Sequence, residues 1–150
     1  MKVRALLIVV AGLLVAADSK DDAGKKDLEK LQGTWKPVSV EQRGESKEDE
    51  EDHRLVFDGN KFRIKRGDET MIQGTFKLDP SKKPKAIDMM ITEDENGEHK
   101  GKTALGIFAL DGDTLKWCVA EPGTTERPKD FSAPADTNLM FITLKREKAK

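Results

Sequence analysis

The sequence predicts an all-β domain: eight strands in an up-and-down antiparallel barrel, led in by a short helical turn. Three observations carry this. Apolar and polar residues alternate along one segment after another, the period-2 signature of a strand with one buried face. Short turns rich in Gly, Asn and Asp separate those segments at regular intervals. The segments number eight, enough to close into a barrel and so remove the exposed edges of an open sheet; a sandwich is the other architecture this pattern suits.

Taken in order, Asp27-Leu-Glu-Lys-Leu-Gln32 suits one or two helical turns, with Leu28 and Leu31 on one face. Gly33 stops it. The first strand is Thr34 to Glu41, and its Pro37 cannot donate to a ladder, which places an edge or a bulge there. Gln42 to Asp52 reads as a loop. The second strand, Arg54 to Asp58, turns at Asp58-Gly-Asn60 into Lys61 to Arg66, where Phe62 and Ile64 alternate with Lys61, Arg63 and Lys65. Gly67-Asp68 leads to Met71–Leu78, with Ile72, Gly74, Phe76 and Leu78 on one face. Lys85 to Thr92 and Lys102 to Leu110 follow, joined across Asn96-Gly97. The Asp111-Gly-Asp113 hairpin leads to Thr114–Ala120. Glu121 to Asp136 is a long loop with three prolines, and Asn138 to Lys145 is the last strand.

The N-terminus carries a different signal. Lys2 and Arg4 form a basic start, Ala5 to Ala17 is uninterrupted apolar sequence, and Val15-Ala-Ala17 offers compact residues before Asp18. These are the three parts of a secretory signal peptide, in order. Thirteen apolar residues fall short of the roughly 20 that span a bilayer, so an uncleaved N-terminal anchor is the lesser reading. The expectation is residues 1–17 as signal peptide, 18–26 as flexible leader, 27–146 as the barrel and 147–150 as a basic tail. The mature protein is then exported, periplasmic or extracellular, with no membrane span. Its 25 basic residues (27 less Lys2 and Arg4) against 28 acidic give a net charge near −3, which provides no overall footprint for nucleic acid. With one cysteine, Cys118, no internal disulfide forms. That thiol is either buried or free to pair with another molecule.

Candidate chemistry is sparse. Cys118 lies within a strand beside Trp117, not at a helix N-terminus that would stabilise a thiolate. The only imidazoles are His53 and His99, far apart, with no zinc spacing. No serine sits in a G-x-S-x-G context. The acidic run Glu48-Asp-Glu-Glu-Asp52 suits a hard cation or, more commonly, a solvated loop. Asp94, Asn96 and Gly97 match half a calcium loop, but Thr92 and Thr103 stand where its first and last acidic ligands belong. Asp88, between Ile87 and Met89, reads as an outward residue of the alternation. The sequence therefore predicts no catalytic group, cofactor or metal. The proposed inner face includes Leu55, Phe57, Phe62, Ile64, Ile72, Phe76, Ile87, Met89, Ile91, Leu115 and Trp117. An eight-stranded barrel of this size is filled by its side chains or holds one small ligand. Gly74 and Ala109 are the positions expected to leave room. Arg127-Pro128-Lys-Asp-Phe131 is a loop motif in which Arg127 can pair with a carboxylate and Phe131 can anchor the loop.

Gly33-Thr-Trp35 resembles the G-x-W that opens the first strand of lipocalins. That resemblance implies that Trp35 plugs one end of the barrel under an arginine from the last strand, here Arg146. More of the chain is similar to an uncharacterised family of exported lipocalin-like proteins abundant in planctomycete bacteria. The residues that carry this are Leu31-Gln-Gly-Thr-Trp35, Gly74-Thr-Phe-Lys-Leu-Asp79, Lys83-Pro-Lys-Ala-Ile-Asp88, Gly106-Ile107, Leu110-Asp-Gly-Asp-Thr-Leu115 with Lys116 and Cys118, and Arg127-Pro-Lys-Asp-Phe131. Phe108 departs from it, a tyrosine being commoner there. The resemblance implies a fold and no activity. Two functions follow as expectations: binding of a small apolar or amphipathic ligand inside the barrel, with Trp35, Phe57, Phe62, Ile64, Phe76, Met89 and Trp117 as lining or core; or a non-enzymatic interaction module with an envelope protein as partner.

Overall fold

The computed structural model describes residues 24–49 and 51–148. The signal segment 1–17, most of the leader and the last two residues of the tail lie outside the described residues. A helix α1 spans residues 24–31, starting three residues before the expected Asp27. Nine strands follow: β1 (Gly33–Gln42), β2 (Glu45–Lys47), β3 (His53–Asp58), β4 (Lys61–Arg66), β5 (Glu69–Asp79), β6 (Lys85–Asp94), β7 (Thr103–Asp111), β8 (Thr114–Val119) and β9 (Met140–Arg146).

All pairings are antiparallel between sequence neighbours, except that β1 skips β2 to pair β3. β1 also pairs β9, from Trp35↔Arg146 to Gln42↔Met140, and this closes an eight-stranded up-and-down barrel. β2 is an extra strand hairpinned onto β1. From sequence alone this segment is expected as loop, for a physical reason. All three β2 residues are exposed, so it has no apolar alternation. Its two-residue turn, Arg43-Gly44, has φ of 52° and 77°, the left-handed pair of a type I′ turn, with arginine in place of the usual Asn or Asp.

Strand parity sorts the side chains. Trp35, Leu55, Phe57, Phe62, Phe76, Met89, Ile91, Phe108, Leu115, Trp117, Ile142 and Leu144 form the interior core, and Ile64, Ile72, Leu78 and Val40 pack against it half-buried. Pro37 sits at a bulge, where the β1–β9 register shifts between Pro37 and Ser39; its missing N–H disrupts the ladder there at little cost. Two expectations fail. Gly74 leaves no room: a Cβ there would lie 1.8 Å from the Met90 carbonyl oxygen, because the β5–β6 bulge draws the strands together. Ala109 is on the outer face, between inward Phe108 and Leu110, and opens no interior space.

A second, smaller buried set lies outside the barrel wall. Ala86, Ile107 and Cys118 point outward yet are almost fully buried. The connection from Ala120 to Leu139 covers them. Arg127 straps it down, donating to Asp88 Oδ1 (2.6 Å) and to the carbonyls of Gly106 (2.9 Å) and Ile87 (3.4 Å). Pro128 is buried, and the Phe131 ring packs 5.9 Å from Phe141. The Ala133 amide donates to Glu41 Oε2 at 2.5 Å. Cys118 is therefore an interior thiol, donating weakly to the Ser132 carbonyl (3.4 Å). Burial pushes its pKa up, the Ser132 contact pulls it back in part, and Glu41 and Asp130 add to the rise.

Candidate functional site: the open end of the barrel

The barrel has two unlike ends. The turns β3–β4, β5–β6 and β7–β8 gather at one end with α1. Leu28 and Leu31 lay the apolar face of α1 on the core. A helix leaves its last carbonyls without partners, and each is met here. Trp35 Nε1 donates to Leu31 O at 2.8 Å. Arg146 donates to Gln32 O at 2.7 Å and to Lys30 O, where a cation also complements the helix dipole. The same guanidinium lies 4.3 Å from the Trp35 ring centroid. Gln32 exchanges two bonds with the Gly59 backbone, 2.6 and 2.9 Å. Asp27, a charged residue only 5 % exposed, accepts from Lys85 Nζ at 2.9 and 3.2 Å. This end is sealed.

The opposite end is ringed by the β1–β2 hairpin, the residues before β3, the Gly67-Asp68 turn, the β6–β7 connection and the strapped loop. Here the inward apolar residues Val40, Ile64, Ile72 and Met140 stay partly accessible. β7 contributes only Ala104 and Gly106 at successive inward positions. Trp117 stands below them. Its indole Nε1 is buried without a hydrogen-bond partner, and it lies 3.3 Å from where a Cβ on Gly106 would be. Glycine therefore admits the indole edge, and the unmet N–H costs about 1–3 kcal/mol.

Polar groups sit at the rim. His53 and Arg66 are cross-strand partners with the same parity as Leu55 and Ile64. The His53 amide donates to Asp49 Oδ2 (2.8 Å), and the ring Nδ1 lies 2.7 Å from Oδ1. A carboxylate only accepts, so this contact assigns the proton to Nδ1. Nε2 faces Glu51 at 3.5 Å. Burial raises the Asp49 pKa, but the bonds from the His53 ring, the His53 amide and the Glu51 amide outweigh it, and the net value falls below 3.8. Arg66 reaches Glu95 at 3.4 Å. Beside the rim, an open hollow of about 210 Å³ is lined by Thr70, Met71, Gln73, Glu93, Asp94 and Glu95.

The ring nitrogens of His53 meet carboxylates, not a nucleophile, and Cys118 points to the outer face under the strap. The half-calcium segment closes on itself: Asp94 accepts from the Asn96 and His99 amides. Among the described residues, no three His, Cys, Asp or Glu side chains converge as metal ligands. Of the residues singled out from the sequence, Trp35 and Arg146 meet at the sealed end. Phe57, Phe62, Phe76 and Met89 fill the half nearer α1, Ile64 and Trp117 line the open half, and Arg127, Pro128 and Phe131 lie outside the wall. The Asp27–Lys85 and Asp49–His53 pairs escaped the sequence reading. A buried Asp next to an amphipathic helical face was the available signal for the first; the second depends on a loop conformation with Asp52 at φ 58°.

Comparison with known protein families, curated proteins and solved structures finds no match to this chain. The described residues form a closed antiparallel barrel of eight strands with one extra strand and one short helix.

Proposed function

We propose that this domain is a non-catalytic binding protein that takes a small apolar or amphipathic ligand at the open end of its barrel. One observation carries this: α1, with the bonds from Trp35 and Arg146 to its last carbonyls, caps one end of the barrel, whereas at the other end Val40, Ile64, Ile72 and Met140 stay partly accessible with no helix of the described residues laid over them. An apolar floor beneath a rim of Arg66, His53 and Glu95 has the make-up of a small-molecule site, mostly hydrophobic with a few polar groups. Depth is limited, because Trp35, Phe57, Phe62 and Phe76 occupy the lower barrel. The ligand is thus one that enters by its apolar part and leaves its polar part at the rim. Export through residues 1–17, and kinship with the exported lipocalin-like family, belong to the same proposal. A second reading, an outer-surface interaction module of the periplasm or envelope, gains from the uneven spread of charge described below.

Native mass spectrometry of the chain from Asp18 onward, purified without detergent from the compartment to which its cells deliver it, tests the proposal. A reproducible extra mass that organic extraction removes is the expected result. A bare mass, together with no fluorescence gain from 1-anilinonaphthalene-8-sulfonate, contradicts it.

A further inference from the structure

Cations on the outer wall are not mixed evenly with acids. Lys36 of β1 and Lys145 of β9 are direct cross-strand partners, both exposed and both outward. Arg54 continues this row, one position beyond the last β1–β3 pair Trp35↔Leu55, and Lys65 faces Arg54 across β3–β4. Arg63 and Lys61 extend the group along β4. Strands stand about 4.8 Å apart and alternate residues about 6.8 Å, so the row of four spans roughly 14 Å and the β4 arm roughly 14 Å more. Arg54 is paired with Asp52 (2.5 Å) and Glu147 (2.8 Å). Among the described residues, the other five have no carboxylate within ion-pair distance; Asp58, cross-strand from Lys61, is the nearest acid by register. Three acids, Asp52, Asp58 and Glu147, adjoin the group, against its six cations.

Like charges placed directly opposite in a ladder destabilise it. The protein holds such a pair at Lys36/Lys145 although its overall charge is mildly negative. Thr34, Thr143 and Val56 lie between these cations, Gln73 and Thr75 face Arg63 and Lys61 from β5, and the Glu147 carboxylate reaches Arg54. No outward aromatic lies among them, so base stacking, the usual hold on single-stranded nucleic acid, has no platform. The only large apolar side chain strongly exposed nearby is Val38, too little to anchor in a lipid surface. We infer that the β9-β1-β3-β4 outer wall is a docking surface for an acidic polysaccharide. Its carboxylates pair with Lys145, Lys36, Lys65, Arg63 and Lys61, and its hydroxyls hydrogen-bond to the interspersed Thr and Gln.

The test titrates the full chain with polygalacturonate, neutral dextran, a single-stranded oligothymidylate and phosphatidylglycerol vesicles. Polygalacturonate binds, and raising salt from about 20 to about 200 mM weakens it at least about tenfold. The triple variant Lys36→Glu, Arg63→Glu, Lys65→Glu lowers affinity at least about tenfold. The control Lys82→Glu, Lys83→Glu, Lys100→Glu, equal in charge change, lowers it less than about twofold. Lys36→Glu alone weakens binding while raising the melting temperature by about 1–2 °C, because it turns a like pair into an opposite one. The inference is overturned if polygalacturonate does not bind, if dextran, oligothymidylate or vesicles bind as tightly, if the control loses as much as the triple variant, or if Lys36→Glu melts no higher.

Discussion

The two ends of the barrel are made from the same strands but closed by different means. At the α1 end, each polar group exposed by the helix terminus finds a side chain that reaches it. Trp35, Arg146 and Gln32 each satisfy backbone and pack at once. At the far end no helix of the described residues covers the half-buried Val40, Ile64, Ile72 and Met140, and a buried indole N–H goes unmet. A protein that only needed to fold would gain by closing both ends in the same way. The difference teaches that one end is held by groups that satisfy the helix terminus, and that the other, among the described residues, lacks such a cap, which is the asymmetry on which the proposed ligand site rests.

Substitutions at the two ends should therefore differ in what they cost. The largest loss is expected for Trp35→Ala, about 3–5 kcal/mol by chemical denaturation, since it empties the plug and strips a helix carbonyl of its donor. Next, Leu115→Ala at the sealed end should cost about 3 kcal/mol, and Ile72→Ala at the open end about half as much, because its site can relax toward solvent. Equal losses would break the comparison. Arg146→Ala should cost about 2–3 kcal/mol, and Arg146→Lys should recover only part, because an ammonium lacks the planar fork that bridges two carbonyls and stacks on an indole. The smallest effect is at the rim. Asp49 is held below the ordinary carboxylate value of 3.8, so its contribution is complete above that value and fades as pH falls through its lower folded pKa. Asp49→Asn should therefore flatten the acid limb of the stability curve below about pH 4 and change stability at pH 7 by less than about 1 kcal/mol.

The barrel was legible because its core strands alternate cleanly: Phe62 and Ile64 on β4, or Ile72 and Phe76 on β5, name their face at once. Trp35 and Arg146 were legible through the G-x-W resemblance and the parity of β9. β2 was not, because a strand with no buried residue leaves no pattern. Gly74 was misread because an interior glycine suggests space, whereas here it lets the Met90 carbonyl approach. The open end was the least legible part. Val40, Ile64, Ile72 and Met140 look in sequence like any other core positions, and only their height in the barrel separates them from Leu115 or Leu144. The basic wall was hidden for a related reason: Lys36, Arg63 and Lys145 are far apart in sequence and become neighbours only through strand register.

The two tryptophans stand one at each end of this comparison, so the most direct test reads both together. Indole N–H and methyl resonances would be followed by nuclear magnetic resonance while laurate, a simple amphiphile, is added. Entry at the open end predicts that the Trp117 indole and the methyls of Ile64, Ile72 and Met140 shift with saturation while the Trp35 indole stays fixed. Shifts at Trp35 equal to those at Trp117, or none at the open-end methyls with laurate in large excess, would contradict it.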